Sequence, residues 1–299
     1  MAGNFSHVIR LYLASEIFKD LAPATRYNYE RSLNDAEVGL GFLTVDTINA
    51  KLVQEYLDGW AKLPGKQSVA KGALQALQKW AVVRGHLPHP IMTGVEVIGS
   101  DDGHEPWTDE QVATAIQNAR PDLARAILLA VSTGQRGSDI VKMRWSDIEE
   151  KDSYQGINVT QQKTGRKLWV PFTGDLSSQV AKWEKRPPFF LVLAPDGRAF
   201  SRNRLSHDWT KERDGNPALK SHKQAALVLH GLRATAVVRL RKLGCTELEI
   251  SSLVGMSLPM VTRYCRLYAQ NKLAMAAVMR LDNFKTLQTK PLKSQDPTL

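Results

Sequence analysis

The sequence predicts a mainly α protein of two domains: a helical N-terminal domain, then an α+β domain that adds a small antiparallel sheet. Three observations predict it. Apolar residues recur at helical spacing through residues 1–92. The run TGVEVIGSDDGHEP, rich in glycine and acid, breaks that pattern at 93–106. Beyond it, the strand-like runs GINVTQQ and RKLWVPF meet at a turn and are flanked by helical segments.

In the first domain the segments HVIRLYLASEIF, ATRYNYERSL, INAKLVQEYLDGWAKL and SVAKGALQALQKWAVV read as helices, with Pro, Gly or Asp at the breaks. In the last of them Ala70, Leu74, Leu77 and Ala81 form an apolar stripe, and Lys71, Gln75 and Lys79 a polar one without an acid. Cations and an amide on one helix face suit a nucleic-acid backbone or base edge, and a merely solvated face has the same pattern. Residues 93–106 read as a linker.

The second domain, 107–285, opens on Thr108 with Gln111 three residues later, which predicts a capping box. ARAILLAV predicts a buried helix, followed by a glycine-rich break and a second short helix. The two strands join at Lys163–Arg166. PFFLVLAP is another short apolar run, and a polar loop is expected from there to about residue 223. AALVLHGLRATAVVRLRKLG returns to helix, and 286–299 reads as a polar, proline-containing tail.

Composition narrows the function. Of the 299 residues 43% are hydrophobic, and no segment approaches the roughly 18 consecutive apolar residues of a membrane span. No signal peptide is apparent. Two cysteines, Cys245 and Cys265, argue against a disulfide framework or a zinc site and for a reducing cytoplasm. The net charge is +10, and it is unevenly spread. Residues 1–104 carry ten Lys+Arg against eleven Asp+Glu, whereas the rest carries thirty against nineteen. Such an excess in one part suggests a polyanionic partner, most often nucleic acid.

Four places in the second domain carry one chemical character. In STGQRGSDI, Arg136 stands between glycines directly after a buried run, where a cation is costly unless it meets an anion. A salt bridge to Asp139, three residues on, is the plainer alternative. Lys163 lies at a hairpin tip, where lysines are usually just solvated. In LHGLRATA, His230 and Arg233 share a face at a helix start, a ready phosphate site or a simple cap. In MVTRYCRLY, Tyr264 lies between Arg263 and Arg266. A phenol with a pKa of about 10 is ionised only about once in a thousand at neutral pH, and neighbouring cations favour the phenolate. Together these are the parts for phosphodiester transesterification. Guanidinium forks hold the non-bridging oxygens, a phenol attacks phosphorus and a cation protonates the departing oxygen. No metal or other cofactor is needed, because the arginines take that electrostatic role.

On STGQRGSDIVKMRWSDI, QQKTGRKLWVPF, HGLRATAVVRL and LVGMSLPMVTRYCR, the sequence resembles the tyrosine recombinases, the phage-integrase family, whose catalytic core is shared with type IB topoisomerases. The resemblance implies a core-binding domain at 1–92, with Lys71, Gln75 and Lys79 on DNA, and a catalytic domain at 107–285. It implies that Arg136 and Arg233 hold the scissile phosphate, Lys163 is the general acid and His230 assists proton transfer. Asp139 would steady the site, and Tyr264 would form a 3′-phosphotyrosyl link. Tyr268 is an alternative nucleophile, disfavoured because Thr262-Arg263-Tyr264 fits the family's approach to the tyrosine. Met256 departs from the pattern, standing where the family usually has a histidine or tryptophan donor. The implied partners are double-stranded DNA at a specific site and further copies of the chain, as a tetramer on DNA, with no membrane. A monomeric topoisomerase and a non-catalytic DNA-binding protein of the same fold are the alternatives.

Overall fold

The computed structural model describes residues 3–98, 104–220 and 227–266, together with 275, 278, 279 and 281. The chain divides into two compact units, Met1–Gly103 and His104–Leu299. The fold is mainly α with one small antiparallel sheet, as the sequence predicts. Among the described residues no helix is long and apolar enough to cross a membrane.

The first unit is built from α1 (Phe5–Ala14), α2 (Glu16–Lys19), α3 (Pro23–Leu40), α4 (Ala50–Asp58) and α5 (Pro64–Val83). Their starts follow local chemistry. Side chains of Asn4, Ser15 and Asn49 accept the first free N–H groups of α1, α2 and α4, and proline opens α3 and α5. The α1–α2 break falls at Ser15, inside a segment that reads as one helix. Likewise α4 stops at Gly59, short of the expected Leu63. Phe5, Ile9, Leu33, Leu57, Leu74 and Leu77 are buried in one core, each contributing about 1.5–3 kcal/mol by leaving water. The stripe Ala70, Leu74, Leu77 and Ala81 is buried as predicted. Gln75 and Lys79 are exposed and Lys71 is half-buried.

The stretch expected to be a linker is tied down at its start. Val95 is buried in the first core, Glu96 N donates to Gln54 Oε1 at 2.9 Å, and Ile98 N donates to Gln67 Oε1 at 3.0 Å. Its other end is held as well, since Trp107 is buried in the second unit and donates to Val228 O and Thr235 Oγ1.

The second unit opens with α6 (Asp109–Asn118), capped by the reciprocal Thr108–Gln111 pair that the sequence predicts, and α7 (Pro121–Thr133). After the short α8 (Gly137–Ile140) comes a sheet of β1 (Ile148–Lys151), β2 (Tyr154–Thr160) and β3 (Lys167–Pro171), antiparallel in that order. Ile157 lies opposite both Ile148 and Val170, and it is buried with Val170 and Val159. The sequence predicts β2 and β3 but not β1. IEEK lacks an alternating apolar pattern, and its turn uses Asp152 and Ser153 at positive φ without a glycine to mark it.

A second correction concerns the polar loop expected up to residue 223. It contains α10 (Arg202–Gly215) and α11 (Pro217–Lys220), which follow α9 (Gly174–Ala181). Only Leu205 and Trp209 of α10 are buried, too sparse a pattern to read as a helix. Yet they suffice to seat it, because Trp209 stacks on Trp107 at 5.3 Å and donates to Leu227 O at 2.6 Å. The unit continues with α12 (Gly231–Lys242), α13 (Glu247–Val254) and α14 (258–266). Tyr268 and the expected tail at 286–299 lie outside the described residues.

Candidate active site

Arg233 sits at the bottom of the site. It projects from the third residue of α12 and is only 3% exposed. Its guanidinium is held by backbone: Nη1 donates to Gly134 O, and Nη2 donates to Gly255 O at 3.4 Å. Both acceptors are left-handed C-caps, of α7 (φ +65°) and α13 (φ +62°), a conformation that favours glycine. A Cβ on Gly134 would stand 2.5 Å from Val254 Cγ1, and one on Gly255 would run into Leu168 and Gln161. Carbonyls orient the cation without neutralising it. Burial, and then the neighbouring Arg136, lower its pKa to about 10, so it remains cationic at neutral pH.

Arg136 caps the start of α8 in extended conformation and is half-buried. Its Nη1 reaches Gln161 Oε1 at 3.5 Å. The ion pair with Asp139 that the sequence left open does not form. Instead Asp139, 2% exposed, accepts from Gln162 N at 2.8 Å through Oδ1, and its buried Oδ2 has no hydrogen-bond partner among the described residues. Its charge acts on Arg233, whose protonated form it favours. Asp139 thus ties the start of the β2–β3 turn to α8 and supplies negative charge beneath the arginines.

Lys163 lies on that turn and is exposed. Gln161 O accepts from Thr164 N and Gly165 N, and Gly165 at φ +66° closes the loop. His230 caps α12 and is half-buried, with the His104 ring edge-on at 4.8 Å. Burial first, then the nearby His104, Arg233, Arg136 and Arg202, push its pKa down to about 4, so the imidazole is neutral at pH 7.

Tyr264 projects from α14 and is 4% exposed, packed with Val254, Met256 and Val261. The hydroxyl of Thr262 donates to Glu247 Oε2 and so anchors α14 to the start of α13. Met256 is buried, and its carbonyl accepts from Ser251 Oγ at 2.7 Å. Its thioether lines the site and offers no donor.

Arg136, Lys163, His230, Arg233, Met256 and Tyr264 line one cleft of about 570 Å³. No carboxylate is among the described residues that line it. Cations with few counter-charges, a neutral imidazole and a phenol facing one space suit a phosphodiester. Lys71, Gln75 and Lys79 belong to the first unit. Sequence reasoning missed His104, read as linker, and Arg202, read as loop, although both line the cleft. It also missed the buried pair Gln135 and Gln161, whose only signal is polarity beside apolar runs. Among the described residues no group of three or more His, Cys, Asp or Glu side chains is placed to hold a metal ion.

Comparison with known proteins gives one consistent answer. The integrase of Enterobacteria phage 434 is 30% identical over 155 residues, which is 50% of this chain and 42% of that protein. The match therefore spans less than half of that relative's length. A crystal structure of a lambda integrase tetramer bound to a Holliday junction superposes with a TM-score of 0.73 at 20% identity, covering 88% of this chain and 77% of that one. The Tn1549 transposon integrase in complex with transposon right end DNA superposes with a TM-score of 0.74 at 15% identity, covering 93% and 99%. These two likenesses establish the fold. The model of the phage integrase family matches residues 107–271, and on that match the chain belongs to the phage integrase family.

Proposed function

We propose that the protein is a site-specific tyrosine recombinase that cuts and rejoins double-stranded DNA through a covalent 3′-phosphotyrosyl intermediate. The observation that carries this reading is the common cleft of Arg136, Lys163, His230, Arg233 and Tyr264. Arg136 and Arg233 hold the non-bridging oxygens of one phosphate and stabilise the added charge of its pentacoordinate transition state. Tyr264 Oη attacks phosphorus, and neutral His230 takes the phenol proton. As the new O–P bond forms, the bond from phosphorus to O5′ breaks, and Lys163 protonates that oxygen. Rejoining runs the same steps backwards with a 5′-hydroxyl as nucleophile. The phosphotyrosyl ester conserves the phosphodiester's energy, so no nucleotide cofactor is consumed.

Residues 1–92 act in this reading as a core-binding domain that lays Lys71, Gln75 and Lys79 on DNA. On the precedent of the lambda integrase tetramer on a Holliday junction, four protomers work together on two duplexes. The protein would act in the cytoplasm, on the nucleoid.

A nicked substrate that loses the short strand beyond the cleavage point traps the adduct. The wild-type protein is expected to form a denaturant-resistant protein–DNA band, and Tyr264→Phe none. The thioether at Met256 gives weight to a second reading, a DNA-binding protein of the same fold without catalysis. Absence of the band with wild-type protein would establish that reading instead.

A further inference from the structure

Below the cleft lies a buried carboxamide that none of the proposed chemical steps uses. Gln161 is fully buried, yet all its polar atoms are engaged. Its Nε2 donates to Gln135 Oε1 at 2.8 Å and to Val254 O at 3.1 Å. Its Oε1 accepts from Thr164 Oγ1 at 3.0 Å and from Arg136 Nη1 at 3.5 Å. Gln135 in turn donates to Thr133 O and Val254 O. One side chain therefore joins three separate segments: the turn carrying Lys163, the α7–α8 corner carrying Arg136, and the end of α13. There Val254 O precedes Gly255 O, the acceptor of Arg233.

Resting on the recombinase reading, we propose that Gln161 is a positioning residue that sets the place of the Lys163 turn against the arginine floor, and so the efficiency of leaving-group protonation. Lys163 is exposed and the described residues give it no ion pair, so its location depends on the turn. Beside the Gln162 N–H bond to Asp139 Oδ1, the Thr164 hydroxyl on Gln161 Oε1 fastens the turn to the amide that reaches the floor. The amide's polarity matters as much as its shape. A carboxylate at this position would face two oxygens, Gln135 Oε1 and Val254 O, and would draw Arg136 into an ion pair.

The test compares two nicked substrates under single-turnover conditions at saturating protein, one with the normal bridging 5′-oxygen at the cleavage point and one with sulfur there. A thiolate leaves without prior protonation, so sulfur removes the need for a well-placed acid. On the oxygen substrate, Gln161→Ala and Thr164→Val are expected to cleave about tenfold or more slowly than wild type, a part of the roughly 10²–10⁴ that general acid–base catalysis supplies. On the sulfur substrate the gap should close to roughly threefold or less. Thr164→Val removes only a hydroxyl at the turn, so it reports even where Gln161→Ala loosens the core. Arg233→Ala, which loses the phosphate itself, should gain little from sulfur. Equal losses on both substrates, or no loss on oxygen, would overturn the positioning role while leaving the recombinase reading intact. No adduct from wild-type protein on either substrate would overturn both.

Discussion

At the scale of single residues, the site depends on how two basic side chains carry their protons. Arg233 is buried and keeps its charge because Gly134 O and Gly255 O accept its hydrogen bonds without cancelling that charge. His230 is buried among cations and loses its charge, which leaves it able to accept a proton. The depressed pKa has a consequence for folding. From pH 6.5 down to about 4 the unfolded chain takes up a proton that folded His230 refuses, so stability falls as pH drops through that window and is unaffected above it. Between pH 7.5 and pH 5 wild type should lose about 1–2 kcal/mol more than His230→Asn, allowing for partial solvent screening. Urea denaturation at the two pH values measures it; parallel losses would show that His230 titrates normally. That Arg136, Lys163, His230, Arg233 and Tyr264 belong together was legible in the sequence because each sits in a motif of distinctive chemistry, and they line one cleft. Gln161 was not, since nothing in QQKTGRK distinguishes a glutamine facing the core from one facing water.

At the scale of elements, the arginine floor is the meeting of two helix ends. α7 and α13 both stop in left-handed glycine caps, and their last carbonyls converge on the guanidinium from α12. Gly134→Ala puts a side chain at φ +65° and against Val254, which should cost about 2 kcal/mol or more and slow cleavage through the displaced carbonyl. Chemical denaturation and single-turnover cleavage check the two effects; a variant as stable and as fast as wild type would contradict this picture of the floor. Helices with a full apolar stripe, such as α5 and α7, were readable by periodicity. Strand β1 and helix α10 were not. β1 offers the core little apolar surface, and α10 is seated by Leu205 and Trp209 alone. Tertiary packing decides such elements, and their own composition does not. Missing α10 also hid Arg202, which lines the cleft from its first turn.

At the scale of the whole molecule, charge separates the two units. Residues 1–104 are close to neutral and the remainder carries the entire positive excess. In the proposed recombinase, the first unit's hold on DNA should therefore rest on particular faces more than on general attraction. Replacing Lys71 and Lys79 together with alanine is expected to weaken DNA binding and to reduce the slope of log affinity against log salt by about one for each phosphate no longer neutralised. An unchanged slope would remove the α5 face from the interface. The packing of Val95 and the backbone bonds of Glu96 and Ile98 make the start of the expected linker part of the first unit.

The most direct measurement maps the covalent link itself. Trypsin cuts after Arg263 and Arg266, so Tyr264 and Tyr268 fall in different peptides, Tyr264–Arg266 and Leu267–Lys272. Mass spectrometry of the trapped adduct, after nuclease and trypsin digestion, should find the residual nucleotide on Tyr264–Arg266. A nucleotide on Leu267–Lys272, or on neither peptide, would contradict it.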